Sequence, residues 1–387
     1  TPCGTLFPYT TLFRSFYNVN RERYRKLVIA YGMPKMLCQL RLRYQDGSTE
    51  TIVSGPGWKT TASPITYSSI FGGEDYDARL DQPQWDKPDF EGEGWRSVKI
   101  AEAPEGKLRA QQSHPVKIDE TLEYKKVNQP EPGIYVYDFG QNASGIPRIK
   151  VRGKKGQKIR LTPSELLHDN GLANQDASGK PHYYTYTLKG DGVETWHPKF
   201  TYYGFRYVQV EGAVPDSVSD GNKPRIVNMD FLHNRNSAPV TGHFESSYEL
   251  FNDIYSLIKW AIKSNLQSVM TDCPHREKLG WLEQTHLMGG SVHYNYHLHH
   301  LYKKQVADMM DAQTTEGLVP DIAPEYVEFV GGFRDSPEWG SASVILPWLL
   351  YKWYGDEETV RKAWPMMDRY VNYLKSKADN HILSHGL

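Results

Sequence analysis

Hydrophobic residues recur along the chain with two different periods, and the change comes near residue 240. From Phe16 to about Gln111 the pattern is one of short strands. Leu37 to Tyr44 alternates in part, Asp46-Gly47 is a turn signal, and Thr49 to Val53 reads as the next strand. Gly55 to Trp58 and Gly72 to Arg79 read as loops. From about Val116 to Met229 a second β-rich stretch follows. Gly133 to Asn142 predicts a strand running into a glycine turn. Ile149 to Gly153, Lys158 to Leu161, Tyr183 to Leu188 and Tyr207 to Val210 continue the series. Frequent short strands with glycine turns argue for a sandwich.

Beyond Val240 the period becomes helical. Leu250, Ile254, Leu257, Ile258, Ala261 and Ile262 are spaced by three and four, and Ser246 or Ser247 is a candidate cap. Leu298 to Met310 is helix-like. Ser343 to Tyr354 is an apolar helix with Pro347 near its start. Glu358 to Ala378 carries Val360, Trp364, Met367, Tyr370, Val371 and Leu374 at helical spacing. The expected organisation is therefore a β domain over 16–115, a second β-sandwich over 116–240 and an all-α region over 241–387. Residues 1–15 stand apart. Pro8-Tyr9-Thr10-Thr11-Leu12-Phe13-Arg14-Ser15 resembles the translation of a sequencing adapter, so this segment is expected not to belong to the fold.

The first helix runs into a turn dense in charge, Thr271-Asp272-Cys273-Pro274-His275-Arg276-Glu277-Lys278-Leu279-Gly280-Trp281-Leu282-Glu283-Gln284. Pro274 breaks the helical run, and a second one begins near Gln284. An Arg beside several acids can bind hydroxyls and set different pKa values on neighbouring carboxyls. The plain alternative is a solvated turn with ion pairs. A second turn, Gly331 to Ser341, is also rich in Gly, Pro, charge and Trp. Its Trp339 suits either sugar stacking or packing on a neighbouring helix.

Composition narrows the partners. A formal net charge of −1 over 387 residues gives no reason to expect nucleic acid or an anionic membrane surface. No apolar run approaches the roughly 18 residues of a membrane span. With 26 Tyr and 10 Trp, flat aromatic faces suited to pyranose rings are abundant, although β-sandwiches are rich in them too. Cys3, Cys38 and Cys273 form no even disulfide framework and no metal-ligand spacing. His293 and His297 have the i,i+4 spacing of a metal pair but no acidic third ligand beside them, so no metal is expected. Gly140 to Gly145 has no phosphate-loop pattern, and no cofactor is expected. Cys273 reads as a small buried residue rather than a nucleophile.

Asp272-Cys273-Pro274-x-Arg276-Glu277, followed by Gly280-Trp281, resembles the signature loop of bacterial α-L-rhamnosidases, glycoside hydrolase family 78. Gly73-Glu74-x-Tyr76-Asp77-Ala78-Arg79 and Phe200 to Tyr207 resemble the sandwich modules of the same family, and Trp339-Gly340-Ser341 its Trp-Gly-Asp loop. The resemblance implies two β-sandwich domains followed by the first half of an all-α (α/α)6 barrel. Twelve barrel helices need roughly 300 residues or more, and about 145 follow Thr241. It also implies Glu277 as general acid, Asp272 and Arg276 as holders of rhamnose hydroxyls, and Trp281 as a sugar-contacting aromatic. Many members carry a later Asp where this chain has Gln284, so Glu283 is a candidate for that role. Asp335 and Glu338 are candidates to replace the Asp that Ser341 occupies. The implied activity is inverting removal of terminal α-L-rhamnose, with two carboxyls roughly 6.5–9.5 Å apart. The general base is expected in the later half of the barrel, so this chain alone is expected to be inactive. Arg276 would oppose a raised Glu277 pKa, so it is expected to face Asp272 or the sugar. A non-catalytic carbohydrate-binding array and an (α/α)6 glycosidase for another sugar are the alternatives. The oligomeric state is open. So is the compartment, a periplasmic or extracellular one being favoured.

Overall fold

A computed structural model describes residues 22–24, 27, 29, 31, 32, 35–102 and 109–384. The adapter-like segment 1–15 lies outside the described residues.

Ile134–Arg152, a strand of 19 residues, is the spine of an 11-stranded sheet. It pairs antiparallel with Tyr203–Glu211 on one side and Arg225–Asn236 on the other. The order continues from Tyr203–Glu211 through Lys158–Ser164, Tyr183–Thr187 and Gly73–Asp77 to Ile65–Ser69. Alternate residues of the spine face the core, as a half-buried strand requires. Phe139, Phe205 and Phe231 meet there, with Phe205 and Phe231 stacked at 4.0 Å and Phe139 edge-on to both. The expected glycine turn after Phe139 does not form. The strand runs on through Gly140, whose φ of 76° is one that only glycine adopts without strain.

The loop expected over Gly72 to Arg79 is also corrected. Gly73–Asp77 is a strand, pairing parallel with Tyr183–Thr187. Two of its three charges misled because they are compensated from far along the chain, while Asp77 pairs locally with Arg79. The fully buried Glu74 accepts the backbone N–H groups of Lys199 and Phe200 at 3.1 Å, and Asp75 pairs with Arg23. Gly73–Asp77 thereby joins the first β region to the sheet of the second.

The helical region comprises α1 (Glu249–Asn265), α2 (Glu283–Leu287), α3 (Gly289–Asn295), α4 (His299–Ala312), α5 (Pro337–Gly340), α6 (Ala342–Tyr354) and α7 (Glu357–Lys377). The chain is thus sheet-rich first and helical afterwards. Neither Ser246 nor Ser247 caps α1, whose N-cap Tyr248 makes no side-chain cap bond. Leu250, Ile254, Leu257 and Ile258 keep the expected stripe, but all four are exposed. The last turn of α1 is bound to the sheet instead. Lys263 is buried, lies 3.4 Å from the Trp260 ring and reaches Glu120 at 2.6 Å, while Ser264 accepts the Ser144 N–H. Asn236 N–H donates to Leu266 C=O at 2.6 Å. The chain therefore enters the charged turn from a point fixed on the sheet. A separate core of Leu282, Val292, Leu301, Val306, Leu346 and Met366 packs α4, α6 and α7 together.

Candidate active site

The turn after α1 is bonded to a second loop. Trp281 and Ile322 form an antiparallel bridge, Ala323 N–H donates to Gly280 C=O at 3.1 Å, and Leu282 N–H donates to Asp321 C=O at 2.9 Å. Gly280 permits this approach, since a Cβ there would stand 2.7 Å from the Ala323 oxygen. Asp321 reaches on to the loop before α5. Its N–H donates to Arg334 C=O, and its Oδ1 accepts the Ser336 N–H at 2.9 Å. Both turns singled out in the sequence are therefore bonded to one strap centred on Asp321.

Glu277 is half-buried within this arrangement. Trp281 Nε1 donates to Glu277 Oε2 at 2.7 Å, and Arg276 Nε lies 3.2 Å from Oε1. The Trp281 ring stacks on Phe329 at 5.4 Å and meets the edge of Trp339 at 6.4 Å. Asp272, Arg276, Glu277, Trp281 and Trp339 are thus brought together. One expectation fails: Arg276 faces Glu277 rather than turning away from it. The sharing of one short turn by both residues places the guanidinium, 46% exposed, against the nearer carboxyl.

The site is dense in carboxyls. Burial, and further the adjacent Glu277 charge, push Asp272 up to about 6, although its hydrogen bonds at Cys273 work against the rise. Burial likewise raises Glu283. Its Oε1 accepts from Gln284 Nε2 at 2.8 Å, and its Oε2 is buried with no hydrogen-bond donor. Asp335 accepts from Tyr373 Oη at 2.6 Å and from Lys377 Nζ at 2.5 Å, both on α7. Glu338 is exposed on the first turn of α5.

Three residues of this site escaped sequence reasoning. Asp321 is 1% exposed, and its Oδ2 has no hydrogen-bond partner among the described residues. Burial, with Asp335, Glu283 and Glu338 nearby, pushes it up to about 7. The available signal was one acid inside the apolar, proline-flanked run Val319-Pro320-Asp321-Ile322-Ala323-Pro324. Lys278 is buried at a φ of 53°, its Nζ donating to Ile70 C=O and Tyr202 C=O at 2.5 Å each. His275 Nε2 lies 3.0 Å from Glu165 Oε2. The histidines of the metal-like pair are otherwise engaged. His293 stacks on Trp353 at 4.2 Å, and His297 packs edge-on against Tyr354. Among the described residues no group of three or more His, Cys, Asp or Glu could hold a metal ion. No described helix is long and apolar enough to cross a membrane.

A half-buried acid pair beside an indole donor and a guanidinium can bind hydroxyls and pass a proton to an oxygen leaving group. Comparison with known proteins gives this chemistry a family. Residues 239–387 match a family model described as the bacterial alpha-L-rhamnosidase 6 hairpin glycosidase domain. Residues 11–120 match the alpha-L-rhamnosidase N-terminal domain, and residues 128–229 the bacterial alpha-L-rhamnosidase concanavalin-like domain. An α-L-rhamnosidase of Streptomyces avermitilis is 36% identical over 356 residues, covering 90% of this chain and 33% of that protein. The solved structure of an α-L-rhamnosidase from "Dictyoglumus thermophilum" superposes with a TM-score of 0.86 at 35% identity, covering 96% of this chain and 40% of the other. A structure of the S. avermitilis enzyme complexed with L-rhamnose gives a TM-score of 0.80 at 36% identity, covering 89% of this chain and 33% of that one. The chain spans roughly a third of the length of the curated relatives it matches.

Proposed function

We propose, from the premise that this chain belongs to the bacterial α-L-rhamnosidase family, that Glu277 is the general acid of an inverting glycoside hydrolase releasing terminal α-L-rhamnose. The observation that carries the reading is the grouping of Asp272, Arg276, Glu277 and Trp281 at one half-buried point. Asp272 keeps its proton up to about pH 6 while hydrogen-bonded to Glu277, so a transferable proton is held at this pair. Arg276 is the mobile partner. A sugar hydroxyl can draw the exposed guanidinium off Glu277, which removes an ion pair that favours the carboxylate over the acid form. Trp281 keeps Glu277 oriented through its indole N–H and offers its ring to the sugar. Glu283, Asp335 and Glu338, gathered around Asp321, with Trp339 behind Trp281, form the hydroxyl-binding side.

The finer architecture follows from the same premise. We assign residues 16–115 and 116–240 to two β-sandwich domains and 241–387 to the first part of an (α/α)6 barrel. The exposed stripe of α1 supports this, because a barrel helix needs neighbours on that face. The general base belongs to the stretch of the relatives beyond the region matched here.

The test is hydrolysis of aryl α-L-rhamnosides by the full-length protein carrying this chain, with proton NMR of the released sugar. Rhamnose appearing first as the β anomer supports the reading. Cleavage of aryl α-glucosides but not of aryl α-L-rhamnosides overturns the substrate, and first release of the α anomer overturns inversion.

A further inference from the structure

Pro274, His275, Arg276, Lys278 and Leu279 are each in contact with the sheet-rich region upstream. Pro274 lies where a Cβ on Gly204 would stand 2.6 Å from its Cγ. His275 pairs with Glu165, which also accepts from Asn142 Nδ2 at 3.0 Å. Arg276 C=O accepts from Tyr24 Oη at 3.1 Å. Lys278 Nζ donates to the carbonyls of Ile70 and Tyr202, within 6 Å of the rings of Phe71, Tyr202 and Tyr203. Leu279 and Ile322 complete a core with Tyr24, Ile70 and Phe71. Glu277 itself is directed the other way, toward Trp281.

The geometry points to a positioning role for the sheet: Glu165, acting through His275, and the carbonyls of Ile70 and Tyr202, acting through Lys278, set where Glu277 and Trp281 stand. The inference rests on the reading of Glu277 as the acid. Lys278 carries most of it. A non-glycine residue at positive φ is strained, and here the strained turn is where the chain doubles back from Glu277 to Leu279. Burial lowers the Lys278 pKa to about 7, and the amine donates to the fixed carbonyls in either form, so two hydrogen bonds hold that turn in place. The His275 pair adds a second tether. The His275 Nδ1 accepts the Arg276 N–H at 2.7 Å, which leaves Nε2 to donate to Glu165 at 3.0 Å. Lys278 Nζ is engaged by the carbonyls of Ile70 and Tyr202, and Glu165 by His275 and Asn142, so both are assigned as positioning residues.

The experiment uses this chain without sugar. The Trp281 indole N–H is followed by nitrogen–proton NMR, assigned by loss of its peak in Trp281→Phe. Glu165→Gln keeps an acceptor but removes the charge, and Lys278→Met removes the donors. In each variant the Trp281 peak is expected to move toward the position of solvent-exposed indoles and to lose exchange protection, while the peak of buried Trp196 stays in place. A Trp281 peak unchanged in Glu165→Gln and Lys278→Met overturns the inference. If Lys278→Met does not fold, Glu165→Gln alone decides in the same terms. A second readout uses the full-length protein. Misplacement of the acid lowers kcat for rhamnosides with poor leaving groups more than for those with good ones. An equal loss for both overturns positioning in favour of a purely structural tether. Titration of the full-length protein with L-rhamnose tests the sugar site separately, because absence of binding there would sink that reading and leave the NMR result standing.

Discussion

Asp321→Asn is expected to stabilise the protein at neutral pH and above and to do nothing below about pH 4. The carboxyl is buried, rises from an ordinary 3.8 to about 7 with other acids nearby, and its Oδ2 has no hydrogen-bond partner among the described residues. A group raised in the folded state contributes stability that is complete below its unfolded value and is lost as pH climbs through its folded value. A rise from 3.8 to about 7 corresponds to ~4 kcal/mol at about 1.4 kcal/mol per pH unit. The effective dielectric around buried charges exceeds that of a dry interior, and we take roughly half, ~2 kcal/mol. Asn keeps the acceptor for the Ser336 N–H and introduces no charge. Thermal unfolding followed at 222 nm, which reports the helices, should give the variant a midpoint roughly 4–8 °C higher at pH 8. The gain should be smaller at pH 5 and vanish below about pH 3.8, where the two proteins should melt together. A variant that tracks the unsubstituted protein at every pH would refute the buried-acid argument, and one that is less stable throughout would show that Asp321 serves as an ordinary structural acceptor.

Two further substitutions follow from the contacts around the loop. Gly204→Ala should cost about 1–3 kcal/mol through overpacking against Pro274, seen as a lower unfolding midpoint together with altered tryptophan emission. Trp281→Phe keeps the stack on Phe329 but loses the indole donor to Glu277. A hydrogen bond to a charged group contributes about 1.5–3 kcal/mol, so kcat/KM of the full-length protein on an aryl α-L-rhamnoside should fall by roughly tenfold or more.

Much of this site was legible because its residues are contiguous. Asp272 to Trp281 carry a recognisable spacing, and the three-and-four pattern into Asn265 shows that they leave a helix. The strand series was legible from alternation and glycine. What escaped depends on partners distant in sequence. Lys278 reads as one more surface charge until Ile70, 208 positions earlier, supplies an acceptor. Gly73–Asp77 reads as a polar loop until Lys199 and Phe200 satisfy Glu74. Asp321 lies in an apolar run with no periodic signal, and only the fold gathers Glu283, Asp335 and Glu338 around it. The direction of Arg276 is a rotamer choice within one turn, which no residue pattern encodes.

The assignment of Glu277 as proton donor is tested most directly by the dependence of kcat/KM on leaving-group pKa in full-length Glu277→Gln. A general acid contributes roughly 10²–10⁴-fold. That loss should appear in full for α-L-rhamnosides of alkyl alcohols and nearly vanish for a dinitrophenyl rhamnoside, whose leaving group needs no proton. The same loss for both substrates would contradict the assignment and place the acid elsewhere.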